Sequence, residues 1–123
     1  MHHMHTKKKD HEFCCAPNGF SGLETSLAAV ITNAYGPDKL SIDQVVYYMS
    51  TRPAELMHLD AGVLEVGKPA DITVFSTTEK WTVDRNKFYT KGKVSPFDGM
   101  TVTGKAKLTV VDGKIVMKEG VVL

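Results

Sequence analysis

Lys107-Leu108-Thr109-Val110-Val111-Asp112-Gly113-Lys114-Ile115-Val116-Met117, "KLTVVDGKIVM", decides the fold class of this 123-residue chain. Two runs rich in Val, Ile and Thr flank an Asp-Gly pair. That pair favours a type I′ turn, whose backbone twist matches that of the flanking strands. The stretch reads as a β-hairpin. A lone hairpin is marginal in water, so further strands and a covering layer must come from elsewhere in the chain.

Upstream, Gly67-Lys68-Pro69 is a turn and Ala70 to Phe75 reads as a strand. A shorter strand is expected from Lys80 to Val83. Residues 84–99 read as a loop, with Ser95-Pro96-Phe97-Asp98-Gly99 its strongest breaker.

Before Asp60 the period is helical. Ser21-Gly22-Leu23-Glu24 has the form of a capping box, in which Ser21 accepts from the Glu24 amide and Glu24 reaches back. The helix it opens carries an apolar face at Leu23, Leu27, Val30, Ile31 and Ala34 and stops at Gly36-Pro37. Ser41-Ile42-Asp43-Gln44 repeats the box, with a second stripe at Ile42, Val45, Val46 and Met49. Thr51-Arg52-Pro53 reads as a third start, with Thr51 as cap and a proline in the first turn, running to Met57 or His58. The pattern is α+β: roughly three helices, then roughly five strands.

Composition bounds the function. No apolar run approaches the ~18 residues of a membrane span. Fifteen Lys and Arg balance fourteen Asp and Glu, and only Lys7-Lys8-Lys9 forms a basic run, so a nucleic-acid partner is not expected. The first residues do not show a charged stretch followed by an apolar core and a small-residue cleavage site, and a cytoplasmic location is expected by default. Adjacent Cys14 and Cys15 read as free thiols, because a vicinal disulfide is strained and metal-ligand pairs are normally spaced. Residues 1–15 read as a polar, His- and Lys-rich loop or disordered start. His2, His3 and His5 are imidazoles with ligand chemistry, but neighbours in such a segment do not make a preorganised metal site.

The loop Pro17-Asn18-Gly19 is the best binding candidate. A glycine lets a ligand approach the backbone, and Asn supplies both a donor and an acceptor. A plain turn feeding a capped helix is the competing explanation, and the residues alone leave both open. Turn and edge chemistry accounts for Asp71 and Asp98 better than catalysis does. Arg52 reads as a surface charge, and His58 as a helix-end histidine. Trp81 and the tyrosines have no spacing that suggests a base-stacking platform.

Three stretches carry a resemblance. "HTKKKDHEFCCAPNGFSGLETS" (5–26) looks like the segment of dihydroorotases that follows an Asp-His-Ala-Pro-His motif and contains Ala-Pro-x-Gly-x-x-Gly-Leu-Glu-Thr. "STRPAELMHLDAGVLEVGKPADITVF" (50–75) is similar to that family's Asn-Pro-Ala helix and Gly-x-x-Ala-Asp turn. "SPFDGMTVTGKAKLTVVDGKIV" (95–116) is similar to its closing Ser-Pro-Phe-x-Gly and Val-x-Gly-Lys hairpin. The chain thus resembles dihydroorotases, cyclic amidohydrolases of the amidohydrolase superfamily, over about His5 to Leu123.

The resemblance implies the C-terminal part of a (β/α)₈ amidohydrolase barrel, its last helix and trailing helices, followed by the C-terminal strands of a small β-sandwich. The expected division is 1–15 as the polar start, 16–60 as substrate loop and barrel-end helices, and 61–123 as sandwich. It implies a zinc-dependent hydrolase of pyrimidine biosynthesis that reversibly opens dihydroorotate to carbamoyl aspartate. It implies substrate contacts at His5, Asn18 and Gly19. The family's catalytic aspartate falls at Met1 and its first motif histidine at His2, so no catalytic or metal residue is expected, no zinc is expected to be held by this chain alone, and activity in isolation is not expected. Candidate partners are a second copy in a homodimer or aspartate carbamoyltransferase, the latter through a non-catalytic, scaffold-like role. An allantoinase- or hydantoinase-type amidohydrolase is the remaining alternative.

Overall fold

The computed structural model describes Gly19 and residues 21–123. Helices come first, then one antiparallel sheet, as the α+β pattern anticipates.

A 3₁₀ turn, Leu23–Thr25, leads into α1, Ser26–Ala34. The helix stops before Gly36-Pro37, where the Leu40 amide donates to the Ala34 carbonyl at 2.9 Å. The buried face differs from the expected stripe: Thr25, Ala28 and Ile31 are buried, whereas Leu23 is 67% exposed. The reason is what α1 packs on. It lies against strand β2, Thr101–Val111, and small residues let the two backbones close up. A Cβ placed on Gly104 of β2 would stand 2.8 Å from Ile31 Cβ. Beside it, Thr32 Oγ1 donates to the Thr103 carbonyl at 3.1 Å and accepts from the Thr103 amide at 2.8 Å. The helix is thereby joined to the strand backbone by hydrogen bonds as well as by apolar packing.

The second capping box forms as expected. Ser41 Oγ accepts from the Gln44 amide at 3.3 Å, and Gln44 Oε1 accepts from the Ser41 amide at 2.9 Å. It opens α2, Ile42–Val46, of which Val45 is fully buried. The expected third start at Thr51 is corrected. Thr51 has helical dihedrals (φ −62°, ψ −51°) and makes no cap; its hydroxyl instead donates to the Gly62 carbonyl at 3.2 Å. A π-helical turn, Tyr47–Thr51, joins α2 to α3, Arg52–Leu56, with the Arg52 amide donating to the Tyr47 carbonyl five residues back. A proline ring inside a regular helix clashes with the carbonyl four residues before it, and the widened turn just ahead of Pro53 is where such a helix adapts.

The end of α3 is a Schellman motif. The Leu59 amide donates to the Ala54 carbonyl at 2.9 Å and the His58 amide to the Glu55 carbonyl at 3.1 Å, with His58 at φ 54°.

Among the described residues the sheet has four strands in the order β1-β2-β3-β4. The two strands expected at 70–75 and 80–83 are one strand, β1, Ile72–Thr82, bulged between Ser76 and Lys80 where it passes Gly104. The opening hairpin stands as read. Val111 pairs with Lys114, β3 is Lys114–Lys118, and Asp112 and Gly113 both have positive φ, as a type I′ turn requires. A second tight turn at Glu119-Gly120 returns β4, Val121–Val122. The core lies between α1 and the sheet: Ala28, Val83, Phe88 and Val102, with Trp81 and Phe97 packed against it.

Candidate functional site

The site is built outward from Gly19. Its φ is 95°, a region that L side chains rarely adopt, and it is exposed. A bare backbone is therefore presented at the entrance to α1. His5 and Asn18, the other expected contacts, lie outside the described residues, as do Met1, the remaining N-terminal histidines, Lys7-Lys8-Lys9, Cys14 and Cys15.

Two residues past Gly19 the expected capping box is not there. The Ser21 hydroxyl donates to the Gly92 carbonyl at 2.6 Å, and the Ser21 amide donates to the Val94 carbonyl at 2.9 Å. Ser21 is 4% exposed, so both bonds also satisfy groups that water does not reach. The Glu24 carboxylate accepts from the Tyr89 amide at 3.1 Å through either oxygen and from the Thr90 amide at 3.2 Å. Both members of the box are thus turned away from the helix and onto segment 89–94. The S-x-x-E pattern marks residues able to satisfy orphan amides; it does not say whose amides they are.

Segment 89–94 belongs to the loop expected at residues 84–99. Its base is closed by the Gly99 amide on the Val83 carbonyl at 2.8 Å and the Val83 amide on the Met100 carbonyl at 2.9 Å. Phe88 is buried in the core. Asp98 Oδ1 accepts from the Arg85 amide at 2.9 Å, and Asp84 Oδ1 accepts from the Asn86 amide at 3.0 Å at the start of a short 3₁₀ turn, Arg85–Lys87. The result is a compact surface loop with its ends together, tied to the sheet below and to Ser21 and Glu24 above.

The other candidates serve the fold. Asp71 Oδ1 accepts from the Asp112 amide at 2.7 Å and fastens the hairpin turn to the start of β1. Asp98 is engaged with Arg85, and Arg52 pairs with Glu55 at 3.1 Å on an exposed face. Trp81 Nε1 donates to the Gly104 carbonyl at 2.8 Å. Shifted ionisations also trace structural pairs. Lys107, between Glu79 at 2.7 Å and Glu119 at 2.9 Å, is raised by both carboxylates, and its hydrogen bond holds Glu79 low. Lys68 is raised by its bond to Asp60.

An apolar cleft of about 700 Å³ lies between the helices and the sheet, lined by Leu27, Val45, Met49, Val63, Ile72 and Phe75 among others. Its polar side chains are Ser50, Thr73, Thr109 and Asp71, and the Asp71 carboxylate is engaged with the hairpin turn. Among the described residues no three His, Cys, Asp or Glu side chains are grouped so as to hold a metal ion. No helix among them is long and apolar enough to cross a membrane.

A family profile described as "Amidohydrolase family" matches residues 17–116, the Gly19 loop, both helical segments and the hairpin together. The chain belongs to the amidohydrolase family. Within it, the segment is 41% identical over 119 residues to a dihydroorotase of Acetivibrio thermocellus, covering 97% of this chain and 28% of that protein. It is 45% identical over 116 residues to a dihydroorotase of Clostridioides difficile, covering 94% of this chain and 27% of that one. The amidohydrolase segment therefore spans little more than a quarter of the relatives it matches. Among solved structures, an L-hydantoinase from Arthrobacter aurescens superposes with a TM-score of 0.82 at 40% identity, over 89% of this chain and 25% of the hydantoinase. A D-hydantoinase from a Thermus species superposes with a TM-score of 0.83 at 23% identity, over 98% of this chain and 27% of that chain, and shows the shared fold.

Proposed function

We propose that this amidohydrolase segment is the C-terminal part of a dihydroorotase and carries the substrate-side lip of its site. In that reading α1 is the last barrel helix, α2 and α3 trail it, and the sheet is the C-terminal share of a small β-sandwich. The observation that supports it most is the dihydroorotase identity of 41% and 45% across 94–97% of the chain. The exposed, left-handed Gly19 agrees with it, because a cyclic amide offers a donor and an acceptor side by side for bare backbone groups to meet.

The reaction adds water to the ring carbonyl of dihydroorotate, breaks the carbon–nitrogen bond and protonates the nitrogen, giving carbamoyl aspartate reversibly. Backbone groups at Gly19 hold the ring, and the resemblance to dihydroorotases assigns Asn18 and His5 to the same ligand. Zinc, where an enzyme of the family holds it, would supply Lewis-acid activation of water; no described residue is assigned to hold it. Pyrimidine biosynthesis, a cytoplasmic location and a homodimeric or aspartate carbamoyltransferase partner belong to the same proposal.

The purified chain, assayed for dihydroorotate ring opening with zinc added, is expected to show no turnover by itself. Turnover would overturn the assignment of catalysis to residues beyond these. The L-hydantoinase likeness, at 40% identity, favours a second reading as a hydantoinase-type cyclic amidohydrolase. Calorimetric titration separates the two: the first expects dihydroorotate to bind more tightly than hydantoin, the second the reverse.

A further inference from the structure

Ser21 and Glu24 open a helix without capping it, and what they do instead concerns Gly19. We propose that they are positioning residues: they tie segment 89–94 to the chain two residues past Gly19 and so set where the Gly19 backbone stands toward a cyclic-amide ligand, an inference that rests on the function proposed above.

Three observations carry it. The chain leaving Gly19 reaches a serine buried to 4% exposure within two residues, and both the amide and the hydroxyl of that serine are spent on the segment, at Val94 and Gly92. One turn further on, Glu24 receives two consecutive backbone amides, Tyr89 and Thr90, so the segment is held at both of its ends. The segment is itself referenced to the sheet, through Phe88 in the core and the Val83–Gly99 and Val83–Met100 bonds at the loop base. The chain past Gly19 is therefore registered against the sheet through segment 89–94, while the first turn of α1 has no side-chain cap. A carboxylate accepting from backbone amides is a charge-assisted bond, stronger than a neutral one.

The test is amide hydrogen exchange on the full 123-residue chain, with dihydroorotate titration followed at the Gly19 amide resonance, for the native protein, Glu24→Ala, Glu24→Gln and Ser21→Ala. Glu24→Ala is expected to speed exchange at Ser21, Tyr89 and Thr90 about tenfold, to leave β1 and β2 unchanged, and to weaken the Gly19 response several-fold. Glu24→Gln retains an acceptor oxygen and is expected to fall between. Unchanged exchange at Ser21 in Glu24→Ala would overturn the clamp, as would a rise spread evenly over the sheet, which marks general destabilisation. The expected exchange pattern with no Gly19 response in the native chain would overturn the ligand half and the dihydroorotase lip with it, while the clamp stands.

Discussion

Gly104 has more of the fold resting on it than any side chain around it. Its φ is 104°, and any Cβ would press on Ile31 at 2.8–3.0 Å. The same residue's carbonyl receives the Trp81 indole, and β1 bulges to pass it. Gly104→Ala is expected to destabilise the chain by about 2–4 kcal/mol, from overpacking plus backbone strain, read as a fall in the denaturant midpoint. Lys107 stands at a second irregularity of the sheet. It is the extra residue of a β2 bulge, which aims its side chain between Glu79 and Glu119. Glu79 is held below its ordinary value of 4.5, chiefly by the Lys107 hydrogen bond. A depressed carboxyl contributes stability that is present above its unfolded value and lost as pH falls through its folded one. Melting temperature is therefore expected to decline as pH drops below about 4.5, and Glu79→Gln to flatten that part of the profile. Lys107 is raised, so its contribution holds below 10.5 and fades as pH climbs past it.

At the scale of elements, what the sequence shows is the chemistry of ends. The Asp112-Gly113 turn and the Ser41 box are read correctly because both are local, each closing over a few residues with geometry that the residue types alone demand. The Ser21 box has the same letters and a different outcome, because its partners lie 65 or more residues away. No local pattern encodes that. The same limit hid the continuity of α2 and α3. Thr51-Arg52-Pro53 is a sound helix start in isolation, but the π turn ahead of Pro53 lets one helical run absorb the proline, and the Thr51 hydroxyl is taken by Gly62. Glu119-Gly120 carries a weak turn signal because Glu is a poor left-handed residue, yet Glu119 stands at φ 51°. His58 is in the same strained position at the α3 end. His58→Gly is expected to stabilise the protein by about 0.5–1 kcal/mol, since glycine relieves the left-handed cost at the C′ position, measured by thermal unfolding.

For the whole molecule, order of elements and class of fold were legible, since helical period gives way to strand period near Asp60. The candidate site was legible as a loop but not as a place. Gly19 stands out in the sequence for its lack of a side chain, while the residues that position it, Ser21 and Glu24 with segment 89–94, emerge only when the chain is folded. The apolar cleft, which Leu64 helps to line, and the exposed Leu56, Met57 and Leu59 are likewise invisible to a periodicity argument, which assigns apolar residues to a core by default. Membership of the amidohydrolase family, identity to dihydroorotases and an exposed Gly19 at positive φ are the observations that support the central proposal, a cyclic-amide ring held at Gly19. Titration of the chain with dihydroorotate, followed by two-dimensional NMR, tests it most directly. The account predicts saturable shifts centred on the Gly19 amide and extending to Ser21; shifts confined to the apolar cleft, or none at all at saturating ligand, would contradict it.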